Sequence, residues 1–336
     1  MKIAVDGMGG DHAPIEIVKG CIQAINDTDL EVYLVGKQEL IEGELKKYKF
    51  DDSKLHIINA TEVIENEDKP VDAIKRKKDS SMVVGLSMLK NKEVDAFISA
   101  GNTGALLAGS LLKVGRIKKI DRPAIATVYP TDKGMSLLVD AGANAECKPR
   151  NLLEFALMGS IYSQKVLGKE NPSVGLVNIG EEEGKGTPMI KDAYQLLSKN
   201  ELNFYGNVEG RDIPTGVVDI LVCDGFVGNI ILKVTEGVAM TMMGMLKREF
   251  KKSFLSKLGA MMLIPSLKSF KKNLDYAEYG GAPLLGVKGA VIKAHGSSNA
   301  KAIKNAILQA KVFAQKDVIQ IISEEILKIG DEDHAG

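Results

Sequence analysis

Tryptophan is missing from this 336-residue chain, and aromatic residues make up only 5% of it. So sparse an aromatic content argues against a platform for stacking nucleic-acid bases. Cysteine is scarce too: the three cysteines, Cys21, Cys147 and Cys223, form no CxxC pair. Neither a disulfide framework nor a zinc site is suggested, and such usage fits a reducing compartment. Neither sign of charge is in excess, since Lys+Arg and Asp+Glu both number 44, so no global field steers the chain toward nucleic acid. Any basic patch must be local. No apolar run approaches the roughly 20 residues of a membrane span, and the acid at position 6 comes too early for a signal-peptide core. What is present is ordinary globular composition, 45% hydrophobic and 26% charged, long enough for one large or two modest domains. A soluble cytoplasmic protein is expected.

Short apolar, β-branched runs alternate with helical periodicity along most of the chain. That alternation predicts an α/β fold in which a mostly parallel sheet carries helices on both faces. Chemistry-bearing residues recur where runs end. Lys2–Val5 closes on Asp6, Gly7, Met8, Gly9, Gly10, Asp11 and His12, where glycines permit close backbone approach to a ligand. Ala96–Ser99 opens into Gly101, Asn102, Thr103 and Gly104, a candidate phosphate cradle of amide, hydroxyl and backbone N–H groups. A further run ends in Asp140-Ala141-Gly142-Ala143-Asn144.

Residues 217–247 read as strand, turn and helix. Asp224, Gly225, Gly228 and Asn229 form the turn, and Ile230, Val234, Val238, Met242 and Leu246 fall at helical spacing. Polar groups at a strand's carboxyl end, where a helix begins, lie where open α/β sheets bind ligands, and anions suit a helix start. An ordinary turn with a capping Asp fits the same residues. Late in the chain a strand carries Lys293 and delivers His295 to a hydroxyl-rich helix start at Ser297 and Ser298.

Several chemistries find no motif. There is no GxSxG elbow, no GxGxxG after a strand and no HExxH. The Gly180–Thr187 loop is not a P-loop, because Gly184 follows Gly180 too soon and Lys185 precedes Gly186 where Ser or Thr is needed. Lys185 stays as a cation on a flexible loop. Cys223 would need His295 alongside to act as a nucleophile. Asp6, Asp11 and Asp224 are the acids able to converge on a divalent cation, although no dense metal-ligand spacing exists. What remains is a site that holds phosphate by N–H, hydroxyl and cation contacts.

Two local charge patterns stand out. Lys75, Arg76, Lys77 and Lys78 precede Ser80 and Ser81, reading either as a solvated face or as an edge for phosphate or an acidic partner. Residues 251–273 are basic, with Phe254, Leu258 and Met262 on one helix face, Leu255 and Met261 beside them, and Pro265 expected to break the helix. Large apolar groups between lysines suit an anionic membrane surface; a helical pair packed on a second subunit fits equally well.

The assembled stretches resemble one family. VDGMGGDHAP (Val5–Pro14), RKKDSSM (Arg76–Met82), SAGNTGAL (Ser99–Leu106), RIKKIDRPA (Arg116–Ala124), DAGAN (Asp140–Asn144), DGFVGN (Asp224–Asn229), YGGAPLLG (Tyr279–Gly286) and AHGSS (Ala294–Ser298) are similar to those of the bacterial phosphate acyltransferase family PlsX, over nearly the whole chain. The family loop reads Lys-Gly-Asn where this chain has Lys185-Gly186-Thr187, which leaves Lys185 in place. The resemblance implies a three-layer α/β/α sandwich like the isocitrate and isopropylmalate dehydrogenases and phosphotransacetylases, used as a homodimer. It implies transfer of a fatty acyl group from acyl carrier protein (ACP) to inorganic phosphate, with no cofactor and no metal. The acyl-phosphate product then feeds a membrane-bound acyl-phosphate:glycerol-3-phosphate acyltransferase, and the enzyme stops peripherally on the inner face of the cell membrane.

Under that implication Lys185, Asn229 and His295 act on carbonyl and phosphate. Asp6, Gly9, Gly10, Asn102, Thr103, Gly104, Asp224, Ser297 and Ser298 surround the substrate. Arg76, Lys77 and Lys78 meet the carrier, and Phe254, Leu255, Leu258, Met261 and Met262 meet the membrane. Residues 1–330 are expected as one α/β unit, 247–276 as a protruding basic amphipathic tip, and 329–336 as a disordered tail. A phosphotransacetylase-like enzyme using acyl-CoA, a non-catalytic membrane-docking scaffold and a metal-dependent dehydrogenase are the alternatives.

Overall fold

The computed structural model describes residues 1–274 and 280–332, with side chains described except at Phe254, 266–274 and 328–332. Eleven strands form one sheet: β1 (Lys2–Asp6), β2 (Glu31–Gly36), β3 (Leu55–Asn59), β4 (Ala96–Ser99), β5 (Ala124–Thr131), β6 (Gly134–Val139), β7 (Val174–Asn178), β8 (Phe204–Glu209), β9 (Ile220–Val222), β10 (Ala282–Leu285) and β11 (Ala290–Lys293). The helices are α1 (Ile15–Asn26), α2 (Gln38–Leu45), α3 (Pro70–Arg76), α4 (Ser81–Lys90), α5 (Thr103–Gly109), α6 (Pro149–Lys165), α7 (Pro188–Ser198), α8 (Gly225–Lys251), α9 (Phe254–Leu274), α10 (Ala300–Gln315) and α11 (Val318–Glu332).

The strand order is β3-β2-β1-β4-β11-β10-β5-β6-β9-β7-β8. Pairing is parallel except at β11–β10, β10–β5 and β5–β6, so the sheet reverses direction at its centre. Residue alternation explains why both faces are covered. Ile3, Val5, Ile98, Ile292, Leu137, Val139 and Leu176 face one core, with α1, α6, α7, α10 and α11 over it. Ala4, Phe97, Ile125 and Val291 face the other way, under α3, α4 and α5, and Leu138, Val177 and Leu221 continue that second face under α8. Period-two strands with apolar residues on both sides are what a helix-sheet-helix sandwich requires. Burying a side chain such as Phe97, which is fully enclosed, contributes about 1.5–3 kcal/mol.

Some sequence-based expectations are corrected. Pro265 does not end a helix; α9 runs through it to Leu274. Proline there costs the Met261 carbonyl its intrahelical donor, and Met261 is exposed, so water can satisfy that carbonyl. Residues 329–332, expected in a tail, belong to α11, which continues to Glu332 and is anchored by buried Val318, Ile322 and Ile326 at four-residue spacing. Residues 333–336, and Tyr279 of the YGGAPLLG stretch, lie outside the described residues. Helix α8 is also long and apolar enough, by length and composition, to cross a membrane, a property hidden in the sequence by interspersed Gly and Thr. Its apolar stripe faces away from the sheet, with Ile230, Val234, Val238 and Met242 exposed, while Val227, Ile231 and Leu232 pack inward.

The start of α8 is pressed onto the turn after β6. A Cβ at Gly228 would lie 1.9 Å from the Asp140 carbonyl oxygen and 3.1 Å from the Cys223 Sγ. Backbone cannot yield there as a flexible side chain would. The Gly228→Ala protein is therefore expected to lose about 3 kcal/mol of stability in urea denaturation, the upper range for overpacking.

Candidate active site

The central reversal of the sheet leaves a cavity of about 390 Å³ between the β5 face, the ends of β4 and β11, and α8. That volume is in the range of small-molecule sites. Each wall has a local reason. Asp224 caps α8 by accepting from the Val227 N–H at 2.8 Å, and the next turn presents Asn229 and Lys233 to the cavity. Opposite them, β11 ends in Lys293 and the chain turns at His295. Thr103 enters from the first turn of α5. The floor includes Thr127 and Tyr129 of β5, and the Tyr129 and Thr235 hydroxyls, 3.0 Å apart, tie it to α8.

Gly142 lies in the turn after β6 at φ +137°, a conformation that favours glycine, and abuts Asn229. The turn is held by Asp140, whose fully buried carboxylate accepts from the N–H groups of Ile125, Gly142, Ala143 and Asn144 and from the Asn144 side-chain amide. Burial raises the Asp140 pKa, and those N–H donors oppose the shift.

Three of the expected residues, Asn229, Thr103 and His295, therefore meet in one cavity. Others sit behind its walls. Asp6 is buried, accepting from the Ser99 hydroxyl at 2.7 Å, and Ser99 in turn receives the Gly101 N–H at 3.0 Å. Gly9 and Gly10 serve close chain packing: a Cβ on Gly9 would lie 2.7 Å from Gly101 N, and one on Gly10 3.0 Å from Gly296 O. Asn102 caps α5 through Ala105 and holds the acidic loop through the carbonyls of Glu65 and Asn66. Gly104 gives room to Pro70 at the start of α3. Ser298 is buried with its hydroxyl unpaired among the described residues.

Lys185 lies outside the cavity lining, on an exposed loop 3.8 Å from Glu182. Thr187, where the family loop has Asn, caps α7 by accepting from Ile190, a task either side chain performs. Lys77 is committed to Asp68 and to the Val63 carbonyl, whereas Arg76 and Lys78 are exposed.

Cys223 is fully buried against the Asp140 carbonyl, and burial pushes its thiol well up, which removes it as a nucleophile. Asp6, Asp11 and Asp224 do not converge; among the described residues no group of three His, Cys, Asp or Glu side chains is placed to hold a metal ion.

Two cavity cations, Lys233 and Lys293, had no role in the sequence reading, which placed Lys293 only on its strand. Lys233 pairs with Glu236 at 3.4 Å, a spacing visible in the sequence once α8 is assigned. His295 is better defined. Its Nδ1 receives the Ser297 N–H at 3.3 Å and lies 2.9 Å from the Ser297 hydroxyl, so Nδ1 is the acceptor and the ring proton belongs on Nε2. Burial, then the nearby Lys233 and Lys293 ammonium groups, lowers the His295 pKa below its ordinary 6.5. At neutral pH the ring is an uncharged N–H donor.

The family described as "Fatty acid synthesis protein" matches residues 1–321. The phosphate acyltransferase of Alkaliphilus oremlandii is 60% identical over 99% of both chains, and that of Clostridioides difficile is 54% identical over 99% of this chain and 98% of its own. The chain belongs to the phosphate acyltransferase family. This acyltransferase also shares its fold with solved structures of distant sequence. A phosphotransacetylase from Streptococcus pyogenes superposes at TM-score 0.63 with 17% identity over 94% of each chain. A 4-hydroxythreonine-4-phosphate dehydrogenase from Klebsiella pneumoniae gives 0.54 with 13% identity, over 93% of this chain and 99% of that one. At such identity they speak to the α/β architecture alone.

The His295 geometry has a direct check. Long-range 1H–15N spectra of the acyltransferase should show the Nε2-protonated tautomer and a titration midpoint below the 6.5 of an unperturbed histidine. Because the unfolded chain takes up that proton at higher pH than the folded one, His295 makes stability increase as pH rises through the interval between the two values.

Proposed function

We propose that the enzyme transfers a long-chain fatty acyl group from acyl-ACP to inorganic phosphate, by direct attack of phosphate on the thioester, giving acyl-phosphate for phospholipid synthesis. The observation that carries this reading is a cavity lined by cations and neutral N–H donors, with no serine or cysteine beside His295 among its lining residues to act as a covalent nucleophile. Phosphate brings its own nucleophilic oxygen, so the protein's task is to hold it against the carbonyl and stabilise the charge that develops. A phosphate oxygen bonds to the thioester carbon and the carbonyl oxygen becomes an oxyanion. Its collapse breaks the C–S bond, and the proton that the hydrogen phosphate gives up ends on the departing thiolate, a modest demand since thiol pKa values lie near 8.5.

The Asn229 amide and the His295 Nε2–H are the oxyanion donors. A neutral imidazole suits that role better than general acid catalysis at pH 7. Thr103 contacts phosphate, while Asp224, Asn102, Ser297 and Asp6 act by holding the walls.

The acidic carrier docks on exposed Arg76 and Lys78, at the end of the helix whose Pro70 touches Gly104 beside Thr103. The exposed stripe of α8 suits pairing with a second copy. Further along, Leu255, Leu258, Met261 and Met262 are exposed on α9, and an apolar groove between α8 and α9 is flanked by Lys247, Lys251 and Lys257. Such a surface fits peripheral binding to anionic lipid on the inner face of the membrane, where the acylating partner that consumes the acyl-phosphate resides.

Purified protein incubated with palmitoyl-ACP should release ACP thiol only when inorganic phosphate is present, with hydroxylamine trapping an acyl-phosphate. Release from palmitoyl-CoA but not from palmitoyl-ACP would make it a phosphotransacylase instead. Replacing His295 by Ala should cut turnover about 10²-fold or more while the protein stays folded, as for loss of one oxyanion donor. In a separate flotation assay, Leu258→Glu with Met262→Glu should abolish binding to vesicles rich in anionic lipid and leave thiol release in solution intact. Unchanged flotation would remove α9 as the membrane contact.

A further inference from the structure

Among the described residues no carboxylate pairs directly with the second cavity cation. Lys293 ends β11, paired in the sheet with Ser99 of β4 on one side and Ala282 of β10 on the other. Its side chain is partly buried and enters the cavity beside His295. The ammonium donates to the Ala100 carbonyl at 3.3 Å and to the Ala294 carbonyl. Among the described residues no carboxylate lies within ion-pair distance of it. The contrast with Lys233 is direct, since that ammonium already has Glu236.

An ammonium has three N–H donors. Two are spent on carbonyls that fix its position, and the third remains. A cation withdrawn from water without a counter-charge is costly, and proteins keep one where a ligand supplies the missing charge.

We propose that Lys293 is the phosphate-binding cation of the site, a contact absent from the sequence-based assignment, and that it fixes the nucleophile by a charge-assisted hydrogen bond. This rests on the acyl-to-phosphate reading and specifies which residue receives the phosphate.

The surrounding charges favour the same role. Asp6 and Asp11 from the β1 end favour the ammonium from a distance, and Lys233 across the cavity opposes it. Glu236, His295 and Tyr129 complete the titratable groups on the cavity lining. Burial is the larger influence and pushes the Lys293 pKa down to about 8. The ammonium is therefore present at neutral pH and lost above it, unless a bound anion retains the proton.

Steady-state thiol release separates the outcomes. Lys293→Met and Lys293→Gln should raise KM for inorganic phosphate by about 10- to 100-fold, the usual worth of a hydrogen bond to a charged group, while KM for palmitoyl-ACP changes little. Circular dichroism would establish that the variants are folded. In the wild-type enzyme, KM for phosphate should climb as pH rises above about 8, and both variants should lose that climb. An unchanged phosphate KM in either folded variant overturns the proposal. Should neither fold, a wild-type phosphate KM that stays flat from pH 7 to beyond the free-enzyme value overturns it equally. Absence of phosphate-dependent release by the wild-type enzyme is a different result: it ends the acyltransfer reading itself.

Discussion

One buried carboxylate sets the geometry on which the site depends. Asp140 gathers the N–H groups of β5 and of the turn after β6, and its own carbonyl is met by the first turn of α8. Strand and turn belong to one hairpin while α8 comes from far along the chain; the Asp140 carboxylate ties the first two together and its backbone carbonyl receives the third. Removing this carboxylate would leave several buried donors unsatisfied together, which is worse than a sum of single losses. Asn229 inherits its position from this arrangement, because Gly228 can approach the Asp140 backbone only without a side chain. On the other side of the cavity, Asp6 plays a similar role for Ser99 and the turn leading to Thr103.

The polar groups that line the cavity are few and ordinary. Amide, imidazole, hydroxyl and ammonium groups line the cavity; the carboxylates that hold its walls lie behind them, and Glu236 answers one ammonium. Such a division suits a reaction in which the nucleophile arrives with the substrate. Preorganised donors need no proton relay, only fixed positions, and fixed positions are what the buried carboxylates provide.

Strand ends were legible in the sequence because they combine a β-branched run with glycine, a small polar residue and a new helical period. Asp140-Ala141-Gly142, Asp224 through Asn229 and His295 through Ser298 all announced themselves in this way, and each has its place in the site's construction. Harder to read was which member of a polar cluster faces the ligand. Asn102 has the donors of a phosphate contact and Asp6 stands at the same strand ends, yet their polar atoms are consumed by backbone and by Ser99. Lys293 was passed over for the opposite reason: a lysine ending a strand looks like any surface lysine until the lack of a nearby carboxylate is measured in three dimensions. The outward stripe of α8 is a third case, since helical periodicity identifies an apolar face but not what covers it.

The two ends of α8 share one rigid body. Asn229 lies in its first turns and Met245 sixteen residues on, about 24 Å away at helical rise. A continuous helix transmits tilt over that distance rather than absorbing it. Whatever grips the exposed end thereby acts as a fulcrum for the amide at the other, and a small rocking of the distal half becomes an angular adjustment of Asn229 at the cavity wall. The helix is in this sense a lever arm, and the aim of Asn229 is set partly by a surface that lies outside the cavity.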